Sequence, residues 1–348
     1  MALRTTRRTV LTGLAAMAVV PLVPVRAFAA GWTRHDFPPR AGTAEQRVNG
    51  IFAASPTAAW SIGVDGVEPV VGRWDGSSWR AVQAPAVGGD IAGTAADDVW
   101  IGTGAKNMHW DGVSWTVRAV PAPPAGEMYI DTGNLVTDAR GTAWSTTATT
   151  TVLGTGPLIY RVMRWDGTAW QLLPNPPRTT AGFDVLDLDV TGATGAWVVG
   201  TRVGADRTLV VQWDGSAWVD HQLPGDSVYP EAVLALGPSA VWISGQDANS
   251  SGFLARWNGE SWSRLDIPGG GRVSRLYDVG NGGPLIRTQN DGYYRWGAAG
   301  WQVVPTPPVR VLYSEVRSAF AAAPDGGIWA AGSRVAGGRV VPATALYL

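Results

Sequence analysis

The chain has 348 residues and a formal charge of −1; only 16% of its residues are charged, while 45 glycines, 24 prolines and 19 tryptophans give it a turn-rich, aromatic-rich make-up that fits many short strands better than long helices. With no cysteine, it excludes disulfide staples, thiol catalysis and thiolate metal sites together. The lack of a basic excess argues against nucleic-acid binding, and no uncharged apolar run after residue 30 approaches membrane-spanning length.

In chain order, the first element is a targeting segment. Arg4, Arg7 and Arg8 form a basic opening, residues 10–25 are apolar, and Ala27-Phe28-Ala29 is a small-x-small cleavage site. Residues 1–29 therefore read as a signal peptide, leaving a single mature domain over 30–348. Its removal takes four of the 27 basic residues and none of the 28 acidic ones, so the formal charge moves to −5. The run Thr6-Arg7-Arg8-Thr9-Val10-Leu11 resembles the twin-arginine export signal. That resemblance implies a secreted bacterial protein that folds before it crosses the membrane; the alternative is an ordinary secretory signal that carries two arginines.

Next comes an isolated strand-like stretch, Gly31-Trp32-Thr33-Arg34-His35-Asp36-Phe37, running into Pro38-Pro39. From there the chain repeats. The unit Arg73-Trp74-Asp75-Gly76-Ser77-Ser78-Trp79 recurs at 109–115, 164–170, 212–218, 256–262 and, degraded, at 295–301. Each copy is two tryptophans around an Asp-Gly or Asn-Gly turn, which predicts a hairpin. A further tryptophan precedes most hairpins, at Trp60, Trp100, Trp144, Trp197 and Trp242, and returns at Trp329. Short apolar runs ending in turns come before these, and proline-rich exits such as Pro174-Asn175-Pro176-Pro177 follow each hairpin.

One unit thus predicts a four-stranded up-and-down meander, and a period of tens of residues predicts a closed repeat array. Hairpins and second strands account for all the tryptophans except Trp32, whose strand has nothing before it, while the last unit stops at Leu348 where a third strand should end. The two fragments, 31–39 and 311–348, complete one blade. The expected fold is all-β: a seven-bladed β-propeller of four-stranded antiparallel blades, with an N-terminal strand completing the C-terminal blade and hiding both sheet edges. On these motifs the chain resembles seven-bladed propellers of exported bacterial proteins over essentially all of 31–348. It departs from the WD-repeat pattern, because Trp-Asp here leads into a glycine turn, and from the kelch double glycine.

A tryptophan present in every blade serves every blade, so the repeat tryptophans read as core; Asp75, Asp111, Asp166 and Asp214 read as turn formers. Function is sought where blades differ. In a propeller the first strand of each blade lines the central channel, and the start of that strand gives Asn49, Asp90, Asp131, Asp184, Glu231, Arg275 and Arg317. Asp90, Asp131, Asp184 and Glu231 are the candidate catalytic acids. Tyr129, Tyr229, Arg275, Tyr313 and Arg317 are the candidate ligand contacts, with Phe183 on the same loops. Acids on one arc and arginines on the other could hold a polar ligand such as a sugar, and converging carboxylates could hold a hard cation or act as an acid/base pair. His35, His109 and His221 fall on peripheral positions, so no triad or histidine metal site is expected. The run Asp187-Leu188-Asp189 lies in a strand-like alternation that argues against a calcium loop.

The expected function is an exported, non-catalytic ligand-binding propeller, glycan or small-molecule recognising, with its site at the channel mouth. The alternative is an enzyme (glycoside hydrolase, lyase or cyclase) using the mouth carboxylates; a scaffold for protein partners is a third reading. No cofactor, resident metal or nucleic-acid partner is expected, and the chain should be monomeric.

Overall fold

The computed structural model describes residues 31–38, 46–65, 68–84, 89–102, 106–151, 158–179, 182–192, 195–202, 207–225, 227–290, 292–311, 317–323 and 326–348, with backbone alone for Gln46, Asp65, Glu68, residues 130–132 and Arg317. The expected export signal and Tyr313 lie outside them.

Seven four-stranded antiparallel sheets make up the described chain. Blades one to six are each built from four consecutive strands, with inner strands at Gln46–Ser55, Ile91–Ala95, Glu127–Thr137, Phe183–Val190, Tyr229–Gly237 and Leu276–Asp278. Blade seven runs Phe320–Ala322, Ile328–Ala336, Arg339–Tyr347, and takes Trp32–Asp36 as its outer strand, in the register Trp32↔Tyr347 to Asp36↔Ala343.

The hairpin motif closes as a loop of four residues between paired tryptophans, as in Trp74↔Trp79. The Asp75 carboxylate accepts from the backbone N–H of Ser77 (3.0 Å) and Ser78 (2.9 Å), and Gly76 takes φ 95°. The Ser77 hydroxyl, which donates to the same oxygen at 2.8 Å, and these backbone bonds together hold the Asp75 carboxyl well below the usual carboxylate range. Asn258 makes the same contacts to Glu260 and Ser261, so the turn needs a side-chain oxygen rather than a charge.

The turn presents both tryptophans to the preceding blade. Trp60 of blade one lies 5.3 Å from Trp110 and 5.6 Å from Trp115 of blade two; Trp100 stands likewise against Trp165 and Trp170, Trp197 against Trp257 and Trp262, Trp242 against Trp296 and Trp301, and Trp329 against Trp74 and Trp79. Trp144 shares one cluster with Trp213 and Trp218. In four blades the residue before the hairpin covers its own blade's second-strand indole: Arg73 lies over Trp60, Arg164 over Trp144 and Arg256 over Trp242, while His109 packs on Trp100 at 4.3 Å. Between blades six and seven Leu285 takes the tryptophan position, and Tyr277, Tyr293 and Phe320 fill the space.

The closing strand is tied by more than its ladder. His35 packs on Trp74 (4.7 Å) and Trp329 (5.4 Å), Phe37 stacks on Trp79, and Trp32 Nε1 donates to the Pro305 carbonyl. Arg334 binds both oxygens of Asp36 and holds that carboxyl below its ordinary range. Deleting residues 31–38 should therefore lower global stability by several kcal/mol, a large part of the roughly 5–15 kcal/mol of an ordinary domain. Denaturant unfolding checks this; an unchanged midpoint would contradict closure by this strand.

Candidate functional site

Pairing with the second strands sets a common register for the channel. In blades two and four, Ala92 and Asp189 lie opposite Trp100 and Trp197; two residues earlier stand Asp90 and Asp187. In blade six Tyr277 lies opposite Leu285, which puts Arg275 at the same level. Asp90 and Arg275 thus share one level with Asp187. Asp184 lies nearer the strand's start, exposed, and Glu231 is an extra residue between Pro230 and Ala232.

Bulges account for one residue of the offset in each strand that has one. Inner strands carry a β-bulge near their starts in blades one, three, four and five, between Val48/Gly50, Tyr129/Asp131, Val185/Asp187 and Pro230/Ala232. Each adds a residue that counting along the sequence cannot see. The bulge pushes a carbonyl onto the second strand, where a Cβ on Gly63, Gly200 or Gly245 would lie about 2 Å from the oxygen of Arg47, Asp184 or Tyr229. In blades one, four and five a glycine three residues after the second-strand tryptophan accompanies the bulge, whereas bulged blade three carries Thr147 there.

The channel acids meet specific partners. Asp187 is buried; its Oδ2 accepts from the Val233 N–H at 2.9 Å, and its Oδ1 lies 3.1 Å from Arg275 Nη1. Asp189 Oδ2 accepts from Ala235 N–H (2.7 Å), and Asp90 Oδ2 from Leu135 N–H (3.3 Å). Each carboxylate satisfies a backbone donor on the next blade's inner strand, at two of the seven joints. Glu231 is gripped by Arg272, whose Nε donates to Oε2 at 2.8 Å. Arg272 follows Gly269, Gly270 and Gly271, all with positive φ, so the chain turns sharply to deliver it.

Tyr229 is half-buried on the inner strand of blade five. Tyr129 donates its hydroxyl to the Pro121 carbonyl, and burial pushes its phenol up. Asp131 pairs with Ala148 through its backbone, and Arg317 opens a short 3-10 turn. The structure thus gathers Asp187, Glu231, Arg272 and Arg275 from blades four, five and six, and leaves Asp90 on its own joint. The sequence marks Asp187 and Asp189 only as a strand alternation that is no calcium loop, and gives no sign of Arg272. Lower in the channel lies a cavity of about 280 Å³ lined by all seven blades, largely apolar, with Asp189 and Asp278 among its walls.

The histidines sit in three different blades. His109 Nε2 is 2.8 Å from Asp98 Oδ1, His221 packs on Trp197 at 4.6 Å, and His35 is in the closing strand. Among the described residues no three His, Asp or Glu side chains gather as a metal site, and no helix is long and apolar enough to cross a membrane.

Asp187→Asn should cost about 3–5 kcal/mol, because it leaves a buried guanidinium–carboxylate contact broken and weakens the brace to Val233. Asp184→Asn, on an exposed side chain, should stay within about 0.5 kcal/mol. Equal effects in denaturant unfolding would contradict these assignments.

No protein-family model matches the chain, and no curated protein matches it. Solved structures do. An oligogalacturonate lyase in complex with manganese is 13% identical with a TM-score of 0.64, covering 91% of this chain and 96% of that one. YCF48 bound to D1 peptide is 14% identical with a TM-score of 0.56, covering 95% and 99%. PorZ of Porphyromonas gingivalis, a surface component of the type-IX secretion system, is 13% identical with a TM-score of 0.55, over 88% of this chain and 48% of that one. At these identities the likeness is one of fold: the chain is a seven-bladed β-propeller.

Proposed function

We propose that the protein is an exported, non-catalytic ligand-binding propeller whose site lies at the end of the channel where the inner strands begin. The observation that carries this reading is the interlocked arc of Asp187, Glu231, Arg272 and Arg275, contributed by three successive blades of an otherwise repetitive scaffold. Its carboxylates are held by guanidinium or backbone N–H donors, which suits a rigid recognition surface better than proton transfer. Beside this arc, exposed Asp184 and half-buried Tyr229 add an acceptor and an aromatic edge. The Asn49 side-chain oxygen, on the bulged residue of blade one, is buried without a hydrogen-bond partner in the described structure.

Guanidinium donors, carboxylate acceptors and tyrosines suit a polar, hydroxyl-bearing ligand such as a glycan. With Arg275 of the arc, Asp90, Asp131, Tyr129, Tyr313 and Arg317 complete the proposed mouth. Export rests on residues 1–29 read as a twin-arginine signal; a monomer with no cofactor completes the proposal.

The test is calorimetric titration of the mature chain with neutral and uronate oligosaccharides. Asp184→Asn and Glu231→Gln should each weaken binding in a graded way, about tenfold or about 1.4 kcal/mol, without abolishing it. Breakdown of an oligosaccharide that either single variant eliminates would overturn the non-catalytic reading, and identical titrations for both variants and the parent would remove the site from the mouth.

A further inference from the structure

We infer that a second binding site, separate from the channel mouth, lies in the crevice between blades four and five, and that its ligand is an oligosaccharide.

Two adjoining cavities, of about 220 and 340 Å³, share His221, Gln222 and Leu223 in their walls. They are of the order of the roughly 300–1,000 Å³ typical of small-molecule sites. The first is walled by Arg178, Arg202 and Thr208; the second by Asp220, Trp257, Glu260 and Trp262. The crevice forms where the repeat departs from itself. After the second hairpin tryptophan, blade four reads Val219-Asp220-His221-Gln222, where blade one has Arg80-Ala81-Val82 and blade three has Gln171-Leu172-Leu173.

Part of this chemistry is a structural bracket. The Arg202 side chain, 3% exposed, binds Asp220 Oδ1 at 2.6 Å, joining the second strand of blade four to its outer strand. Asp247–Arg264 in blade five and Arg334–Asp36 in blade seven make the same crossing. What the bracket does not require is Arg178, which arrives from the linker between blades three and four, with φ 58°, and binds the other oxygen of Asp220 through Nε at 2.9 Å. Two guanidiniums hold one carboxylate rigid, so the polar wall is preorganised.

The second cavity has an aromatic wall. Trp257 and Trp262 are half-buried, whereas their counterparts Trp74 and Trp79 in blade one are buried, at 4% and 1% exposure. Their rings stand 5.4 Å apart at 48°, and His221 meets Trp257 edge-on at 5.0 Å. Exposed Gln222 and Glu260 border the same space. A pyranose offers what this arrangement takes: a C–H face for an indole, and a rim of hydroxyls for planar side chains that donate (Arg178, Gln222) and accept (Glu260, Gln222).

The test uses the full mature chain, titrated with cellohexaose, chitohexaose and hexagalacturonate while tryptophan fluorescence and heat are recorded. At least one should bind, with a shift in tryptophan emission. Gln222→Ala and Glu260→Ala, both at exposed positions, should weaken binding at least tenfold with an unchanged melting temperature. Selective binding of hexagalacturonate, lost in Arg178→Ala, would assign an acidic ligand; binding of the neutral probes that survives Arg178→Ala would assign a neutral one. Both outcomes support the groove. Failure of all three probes to bind at millimolar concentration would overturn it, as would binding that Gln222→Ala and Glu260→Ala leave intact. Should Glu231→Gln weaken that binding instead, the channel mouth stands and this groove does not.

Discussion

The fold depends on one repeated contact: the second-strand tryptophan of a blade inserted between the two hairpin tryptophans of the next. Trp60, Trp100, Trp144, Trp197, Trp242 and Trp329 are each no more than 1% exposed. An indole set against two others at 5–6 Å fixes both the spacing and the tilt of neighbouring sheets. The Asp-Gly turn aims that pair, and in blades one, two, three and five the arginine or histidine before it covers the indole of its own blade. Only the joint between blades six and seven dispenses with the arrangement. There Leu285 replaces the indole, and closure relies on Tyr277, Phe320 and the Trp32–Tyr347 contact.

Because the core is so uniform, polar residues near the channel carry unequal structural loads. Half-buried Asp90 and buried Asp187 and Asp189 each satisfy a backbone N–H across a joint, a role that is costly to alter where the carboxylate is buried. Glu231, Asp184, Gln222 and Glu260 stand outside those braces. Ligand recognition on this scaffold is best accommodated at such positions, where a substitution changes a surface without loosening a blade.

The architecture was readable from the sequence because its determinants are local and repeated: paired tryptophans, a turn residue between them, proline exits, and one orphan strand at Trp32 whose partner had to be at Leu348. The channel register was not. Bulges insert a residue into the inner strand, at Leu186 in blade four and Glu231 in blade five, so counting from the strand's start misses the level that Asp187 occupies. The strand alternation through Asp187 and Asp189 is real, but it ends in bonds to Val233 and Ala235 that no motif encodes. The crevice between blades four and five was equally invisible, since Arg178, Arg202, His221 and Trp262 meet only once the sheets are packed.

The most direct test of indole insertion is a double-mutant cycle on Trp100 and Trp170, whose rings lie 5.6 Å apart across one joint and are both buried. In urea unfolding, each alanine variant should lose about 3–5 kcal/mol. The double variant should show a coupling of about 0.5–1.5 kcal/mol between the two rings. Single losses below about 1 kcal/mol, or strictly additive effects, would contradict the claim that this contact holds one blade to the next.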